Sequence, residues 1–282
     1  MGDVIDLPDN RIADILLGKE KPPVWLIPDF MLQGHFVCWA GDSNVGKSLT
    51  LYQLGLALAS GSRCFGGVVP AGEPKRVLYY DEENNPADRD KYLRQAFHGL
   101  IAGNHGEDID VDLLHENFYA LSERLGEDWL YDQLAHDIEI FKPHVVFIDT
   151  AATALNLENE NDNSEASTNI KALKKVARLV DPRVTLVILR HAKTTKDESG
   201  RRTMRGAKTW RNQADQVIFH VRRRGRPRDG GLYLTELVPD KVRAYGLADT
   251  IQLTPSWAGK RGEALVLNGK RSLWTGNDDD GE

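Results

Sequence analysis

Eight consecutive residues point to the chemistry of this chain. Gly41-Asp42-Ser43-Asn44-Val45-Gly46-Lys47-Ser48 fits G-x-x-x-x-G-K-[ST] without a mismatch. In such a loop, backbone N–H groups wrap around phosphate oxygens, and Gly41 and Gly46 permit the dihedrals this needs. Lys47 reaches the β- and γ-phosphates, and the Ser48 hydroxyl ligands Mg²⁺. Leu49 follows directly, so residues 41–49 make up the expected nucleotide-binding stretch. The helix starting here points its positive dipole end at the anion. A chance match in a turn is the alternative, but an apolar run precedes the loop and a helical pattern follows it.

Carboxylates stand at two other places where a phosphate site needs them. Asp149 ends the apolar run Val145-Val146-Phe147-Ile148, and ligands of parallel sheets sit at the carboxyl ends of strands. Asp149 there supports the Mg²⁺ shell, the Walker B role; the plainer alternative is an Asp that caps the next turn. Glu82 and Glu83 follow Val77-Leu78-Tyr79-Tyr80-Asp81. A carboxylate at that strand end can face the γ-phosphate and orient the attacking water, although Asp81, Glu82 and Glu83 also suit a solvated acidic turn. His191 follows the run Val184 to Leu189 and Arg190. It is either a γ-phosphate sensor or a structural histidine.

The elements that must hold these groups follow from hydrophobic patterning. Phe36 to Ala40, Val77 to Tyr80, Val145 to Ile148, Val184 to Leu189 and Val217 to Val221 are short apolar runs that read as buried strands. Residues 47–60 are apolar on nearly every face, as in a buried helix. Asn85-Pro86 offers an N-cap and a proline at the first helical position, before a stripe of Leu93, Ala96, Phe97 and Leu100. Ile170, Leu173, Val176 and Val180 line one face of a helix over 165–180. Strands alternating with helices predict an α/β fold with a mostly parallel sheet flanked by helices. The runs 232–238 and 241–247 flank Pro239-Asp240 and read as a C-terminal β-hairpin extension. Residues 1–24, with Pro22-Pro23, read as an N-terminal arm, 25–268 as one domain, and 269–282 as an acidic disordered tail.

Composition excludes several classes. The chain has 282 residues, 41% of them hydrophobic and 28% charged, enough for a core and a charged surface. No apolar run approaches a membrane span, and MGDVIDLPDN lacks the features of a signal peptide. Two cysteines, Cys38 and Cys64, are too few for a disulfide framework, so a reducing cytoplasm is the default. The formal net charge is −6, from 36 Lys+Arg against 42 Asp+Glu, which argues against a nucleic-acid coat.

The four site elements, in this order, resemble the RecA/DnaB class of P-loop ATPases. The likeness is strongest to the RepA-type hexameric replicative helicases, small AAA-type proteins of plasmids and phages, and it covers roughly residues 25–245. It implies a RecA-like core that uses ATP and Mg²⁺. In that family the strand after the P-loop helix reads like V-L-Y-x-D-x-E-N, which places the water-activating role on Glu83. Leu189-Arg190-His191-Ala192-Lys193-Thr194 is similar to the family's sensor turn, although the family commonly has His-His and this chain has Arg190. Met204 to Asp215 resembles its R-G-s-s-a-l-r-x-x-A-D segment. Lys241-Val242-Arg243 stands where the family's K-x-R reaches into the neighbouring subunit's ATP site. The resemblance thus implies a homohexamer with Lys241 and Arg243 acting in trans; a surface strand of alternating charge is the other reading.

The family's two central-channel loops map to 150–169 and about 192–211. The first carries Glu158, Glu160, Asp162 and Glu165 and no Lys or Arg. The second is basic. Residues 191–228 hold twelve of the 36 Lys and Arg. Lys193, Lys196, Arg201, Arg202, Arg205, Lys208 and Arg211 are therefore candidate contacts to single-stranded DNA, made to phosphate with little base preference. A solvated basic face is the simpler alternative. The expectation is a ring-shaped motor on single-stranded DNA. A recombinase-type filament protein and a regulatory ATPase with a protein partner remain as alternatives.

Overall fold

The computed structural model describes residues 16–17, 22–104, 109–122, 130–155, 162–181, 183–192, 204, 208–223, 232–242, 249–258 and 264–272. Strands β1 (Trp25–Ile27) and β2 (Met31–Leu32) pair antiparallel and pack beneath the main sheet, where Phe30 meets Trp39 edge-on. The phosphate-loop unit follows: β3 (Phe36–Gly41) and α1 (Lys47–Ser60). Then come β4 (Val77–Asp81), α2 (Pro86–Gly103), α3 (Val111–Asn117) and β5 (Phe118–Ser122). Next are α4 (Leu130–Phe141), β6 (Val145–Asp149), α5 (Ala151–Ala154), α6 (Asn163–Val180) and β7 (Thr185–His191). The chain continues with α7 (Lys208–Gln213), β8 (Gln216–Arg222), β9 (Thr235–Val242), β10 (Thr250–Ala258) and β11 (Ala264–Ser272).

Nine strands form one sheet in the order β11-β10-β9-β8-β3-β7-β6-β4-β5. The pairs from β8 to β5 are parallel and the three from β8 to β11 antiparallel. This is the expected α/β architecture. Every residue of β3, β4 and β6 is buried, because helices cover both faces. Strand alternation then divides the core in two. Val37, Trp39, Val77, Tyr79, Val145 and Phe147 face α1 and α2. Phe36, Cys38, Leu78, Tyr80, Val146 and Ile148 face α4 and α6. Cys38 is fully buried and free, a small core residue as its apolar run suggests.

Helix ends follow local chemistry. Asn85 caps α2 by accepting from the N–H groups of Ala87 and Asp88, with Pro86 at the first helical position. Helix α1 stops at Gly61, whose φ of 69° lets its N–H turn back to the last carbonyls. Among the described residues, no helix is long and apolar enough to cross a membrane.

Three expectations change. Pro239-Asp240 is not a hairpin turn; β9 runs straight through it. Opposite Val217 and Ile218 the register shifts by one, with Asp240 bulged out of β9 and Pro239 set opposite Ile218, which accommodates a residue with no N–H to donate. The C-terminal hairpin is instead β10–β11, paired from Thr250↔Ser272 to Ala258↔Ala264. Residues 269–272 belong to β11, so the tail begins no earlier than 273, and 273–282 lie outside the described residues.

Candidate functional site

Parallel pairing brings the chemistry to one end of the sheet. Gly41 is paired with His191 on one side and His220 on the other, and Asp81 is paired with Asp149. The P-loop at the end of β3 thus lies beside the ends of β7 and β8, with β6 and β4 beyond, where the strand order reverses.

The loop itself depends on two glycines for different reasons. A Cβ at Gly41 would fall 2.6 Å from the His220 carbonyl oxygen, so no side chain fits between β3 and β8. Gly46 has φ 91°, and only glycine adopts that readily. Lys47 is buried and donates from Nζ to the carbonyl oxygens of Gly41 at 3.1 Å and Asp42 at 2.9 Å. Burial pulls its pKa below the ordinary lysine value, against the opposing pull of Asp149, Glu83 and Asp42.

A cavity of about 370 Å³ opens at this end, lined by Ser43, Asn44, Lys47, Ser48, Glu83 and His191 among others. Leu49 of α1 and Tyr92 of α2 complete its wall. Glu83, and not Glu82, lines it. The N–H of Glu82 donates to the Asp149 carbonyl at 2.6 Å, which turns the chain so that the next side chain faces the cavity.

Asp149 is fully buried, and burial pushes its pKa up to about 7, with Asp81 and Glu83 adding to the rise. The hydroxyls of Ser48 and Tyr79 act in the opposite direction by favouring the charged form. Tyr79 Oη donates to Oδ2 at 2.8 Å. Ser48 comes close enough to influence the carboxylate, yet Oδ1 accepts no well-formed hydrogen bond from any described residue. A buried carboxylate oxygen without a donor, beside a serine hydroxyl, is the hard-oxygen donor set that suits Mg²⁺. The site residues therefore fit that ion, which Ser48 and Asp149 would hold.

Sequence reasoning missed the shell that holds these groups. Asp81 is buried and organises the turn that carries Glu83. Its Oδ1 accepts from the N–H groups of Asn84 at 2.9 Å and Glu83 at 3.3 Å, and its Oδ2 accepts from Tyr52 Oη at 2.6 Å. Tyr52 stacks on Tyr79 with ring centroids 4.2 Å apart. Burial first, then the nearby carboxylates, raises both tyrosine pKa values, so each hydroxyl remains a donor. The D-x-x-N spacing of Asp81 and Asn84 is the one available sequence signal for this shell. Nothing in the sequence announces that Tyr52 and Tyr79 meet.

Other candidates separate. Lys241 does not project outward: its Nζ donates to the carbonyls of Arg211 at 3.0 Å, Asn212 at 2.9 Å and Ala214 at 2.7 Å, capping the C-terminal end of α7. Through Val217 it lies at the end of the sheet opposite the P-loop. This corrects its assignment as a group free to reach another subunit; a charge beside three orphaned carbonyls is held where it is. Arg211 is likewise engaged at home, donating from Nε to Asp240 at 2.7 Å. Lys208 is exposed. Arg243, Lys193, Lys196, Arg201, Arg202 and Arg205 lie outside the described residues. Arg190, the departure from His-His, turns away from the cavity and places its guanidinium 4.5 Å over the Trp210 ring.

No curated protein matches the chain. The family model of an AAA domain matches residues 3–197, a span that contains the P-loop, Glu83, Asp149 and His191. With the parallel sheet and this convergent site, the match shows that the chain belongs to the AAA domain family of P-loop ATPases.

Proposed function

We propose that the chain is a Mg²⁺-dependent ATPase that works as a ring-shaped motor on single-stranded DNA, of the plasmid or phage replicative helicase type. The observation that supports the catalytic half is the convergence of Lys47, Ser48, Glu83 and His191 on one cavity, with Asp149 buried behind it. The basic stretch at 191–228 supports the DNA half.

In this reading the loop N–H groups and Lys47 bind the β- and γ-phosphates. Bound Mg²⁺ supplies neutralisation of the charge that builds on the phosphate oxygens. Glu83 accepts a hydrogen bond from the attacking water and aligns it with the γ-phosphorus. His191, at the end of β7, hydrogen-bonds the γ-phosphate and loses that bond when phosphate leaves. The trans arginine is Arg243 of a neighbouring copy. Mixing Arg243→Ala with Lys47→Ala subunits restores turnover if the site is shared, and no recovery refutes a shared site.

The test is ATP turnover with and without single-stranded DNA at low salt, together with mass in solution. DNA-stimulated turnover by a closed ring fits the proposal; open helical assemblies on DNA favour a recombinase. A regulatory ATPase is the second reading, favoured by the acidic stretch Glu158, Glu160, Asp162 and Glu165. Absence of any DNA stimulation turns the assignment to it.

A further inference from the structure

Two carboxylates at this site are held by two tyrosines, and the tyrosines hold each other. Tyr79 donates to Asp149, the metal-side carboxylate, at 2.8 Å. Tyr52 donates to Asp81 at 2.6 Å. The rings stack at 4.2 Å with an interplanar angle of 17°, and Tyr79 in turn packs on Phe147 at 5.5 Å. Tyr52 stands one helical turn after Ser48 on α1, so its hydroxyl moves with the helix that carries Lys47 and Ser48. Asp81 faces two ways. One oxygen is bound to that helix through Tyr52. The other accepts from the backbone of Glu83 and Asn84. Asn84 Nδ2 closes the turn by donating to both oxygens at 3.1 Å.

We infer that Tyr52 and Asp81 are positioning residues that tie the Glu83 turn to the phosphate-binding helix, setting the distance between the water-orienting carboxylate and the bound phosphates. Neither side chain lines the cavity, and both act through Glu83. The inference rests on the ATPase reading of the same site. The Tyr52–Asp81 bond joins a buried donor to a buried acceptor in low dielectric, where it is strong and where losing one partner leaves the other unmet. The ring stack keeps the Tyr52 hydroxyl on target, because Tyr52 lies against Tyr79 and Tyr79 is itself packed on Phe147. Asn84 alone cannot replace Tyr52, since it tethers Asp81 to the turn and not to α1.

Tyr52→Phe keeps the ring and deletes the hydroxyl. Turnover is expected to fall by about 10- to 100-fold, the cost of misplacing a catalytic group by up to about an ångström. KM for ATP stays within about twofold, because the P-loop contacts are untouched. Asp81→Asn keeps an acceptor for the turn and retains more activity than Asp81→Ala, which removes it. A Tyr52→Phe protein with unchanged turnover, or with KM and kcat both degraded alongside a collapsed Tm, refutes the link. Amide hydrogen exchange gives a readout that needs no turnover. In Tyr52→Phe the amides of Glu83 and Asn84 exchange faster while the interior of α2 does not. Unchanged protection at those two amides overturns the inference whether or not the chain hydrolyses ATP. A wild-type protein with no turnover but a Tyr52-dependent exchange pattern fails the ATPase reading and leaves the link standing.

Discussion

On the proposed reading, Asp149 makes the Mg²⁺ site sensitive to pH near neutrality. An ordinary aspartate titrates near 3.8, and burial lifts this one to about 7. The sign is fixed by linkage. Mg²⁺ binds the ionised form, so binding is full above about 7 and is lost as pH falls through it. For a pKa of about 7, the ionised fraction drops about tenfold between pH 8 and pH 6, so half-saturating Mg²⁺ rises by about the same factor. An aspartate at its ordinary value would give almost no change over that interval. The assay is Mg²⁺ titration of nucleotide binding at pH 6, 7 and 8, with Asp149→Asn as the baseline for the phosphate's own titration. Equal slopes in the two proteins refute the buried, raised carboxylate. The same shift has a consequence for the free protein. The folded state holds this proton more tightly than the unfolded chain, so the cost of burying the charge is absent below about pH 4 and complete above about 7. The shift from 3.8 to about 7 corresponds to an upper limit on the order of 4 kcal/mol. Asp149→Asn, which keeps an acceptor for Tyr79, therefore raises Tm at pH 8 and gains little at pH 4. A variant less stable than wild type at pH 8 contradicts the reasoning.

Three further outcomes are expected. Glu83→Gln binds nucleotide with near-normal affinity and turns over about 10²- to 10⁴-fold more slowly, read by single-turnover kinetics; near-normal turnover moves the role elsewhere. Lys241→Met leaves three carbonyls at the end of α7 without their donor and costs about 1.5–3 kcal/mol in urea denaturation, and a neutral effect would mean the cap is water-replaceable. Gly99→Ala forces a Cβ to within 1.9 Å of the Leu265 carbonyl oxygen, where α2 crosses β11. It costs about 1–3 kcal/mol or more, seen as a lower denaturation midpoint, and an unchanged midpoint would show that α2 lifts away at no cost.

Much of the site was legible because its signals are local. The P-loop is one continuous turn whose glycines, lysine and serine act within eight residues. Asp149 and His191 each end an apolar run, and the rule that ligands sit at strand ends carried them to the right end of the sheet. Glu83 needed the family pattern to be separated from Glu82; in the structure Glu83 lines the cavity, while the Glu82 N–H is bound to the Asp149 carbonyl. The misreadings came from local signals that tertiary context overrode. Pro239-Asp240 looks like a turn, but β9 absorbs Asp240 as a bulge against β8 and runs on through it. Lys241 looks like an exposed charge in an alternating strand, but the end of α7 lies within its reach.

By itself the sequence determined the elements and the chemistry they carry: an α/β chain, a phosphate loop, and acids at the ends of strands. Periodicity and turn chemistry depend on neighbours in the chain, and those are written residue by residue. Tertiary structure alone decided which groups meet. Tyr52 and Tyr79 come from a helix and a strand 27 positions apart, yet they stack and each donates to a buried carboxylate at the P-loop end of the sheet. That arrangement depends on strand order and register, which set distances in space that no spacing along the chain encodes.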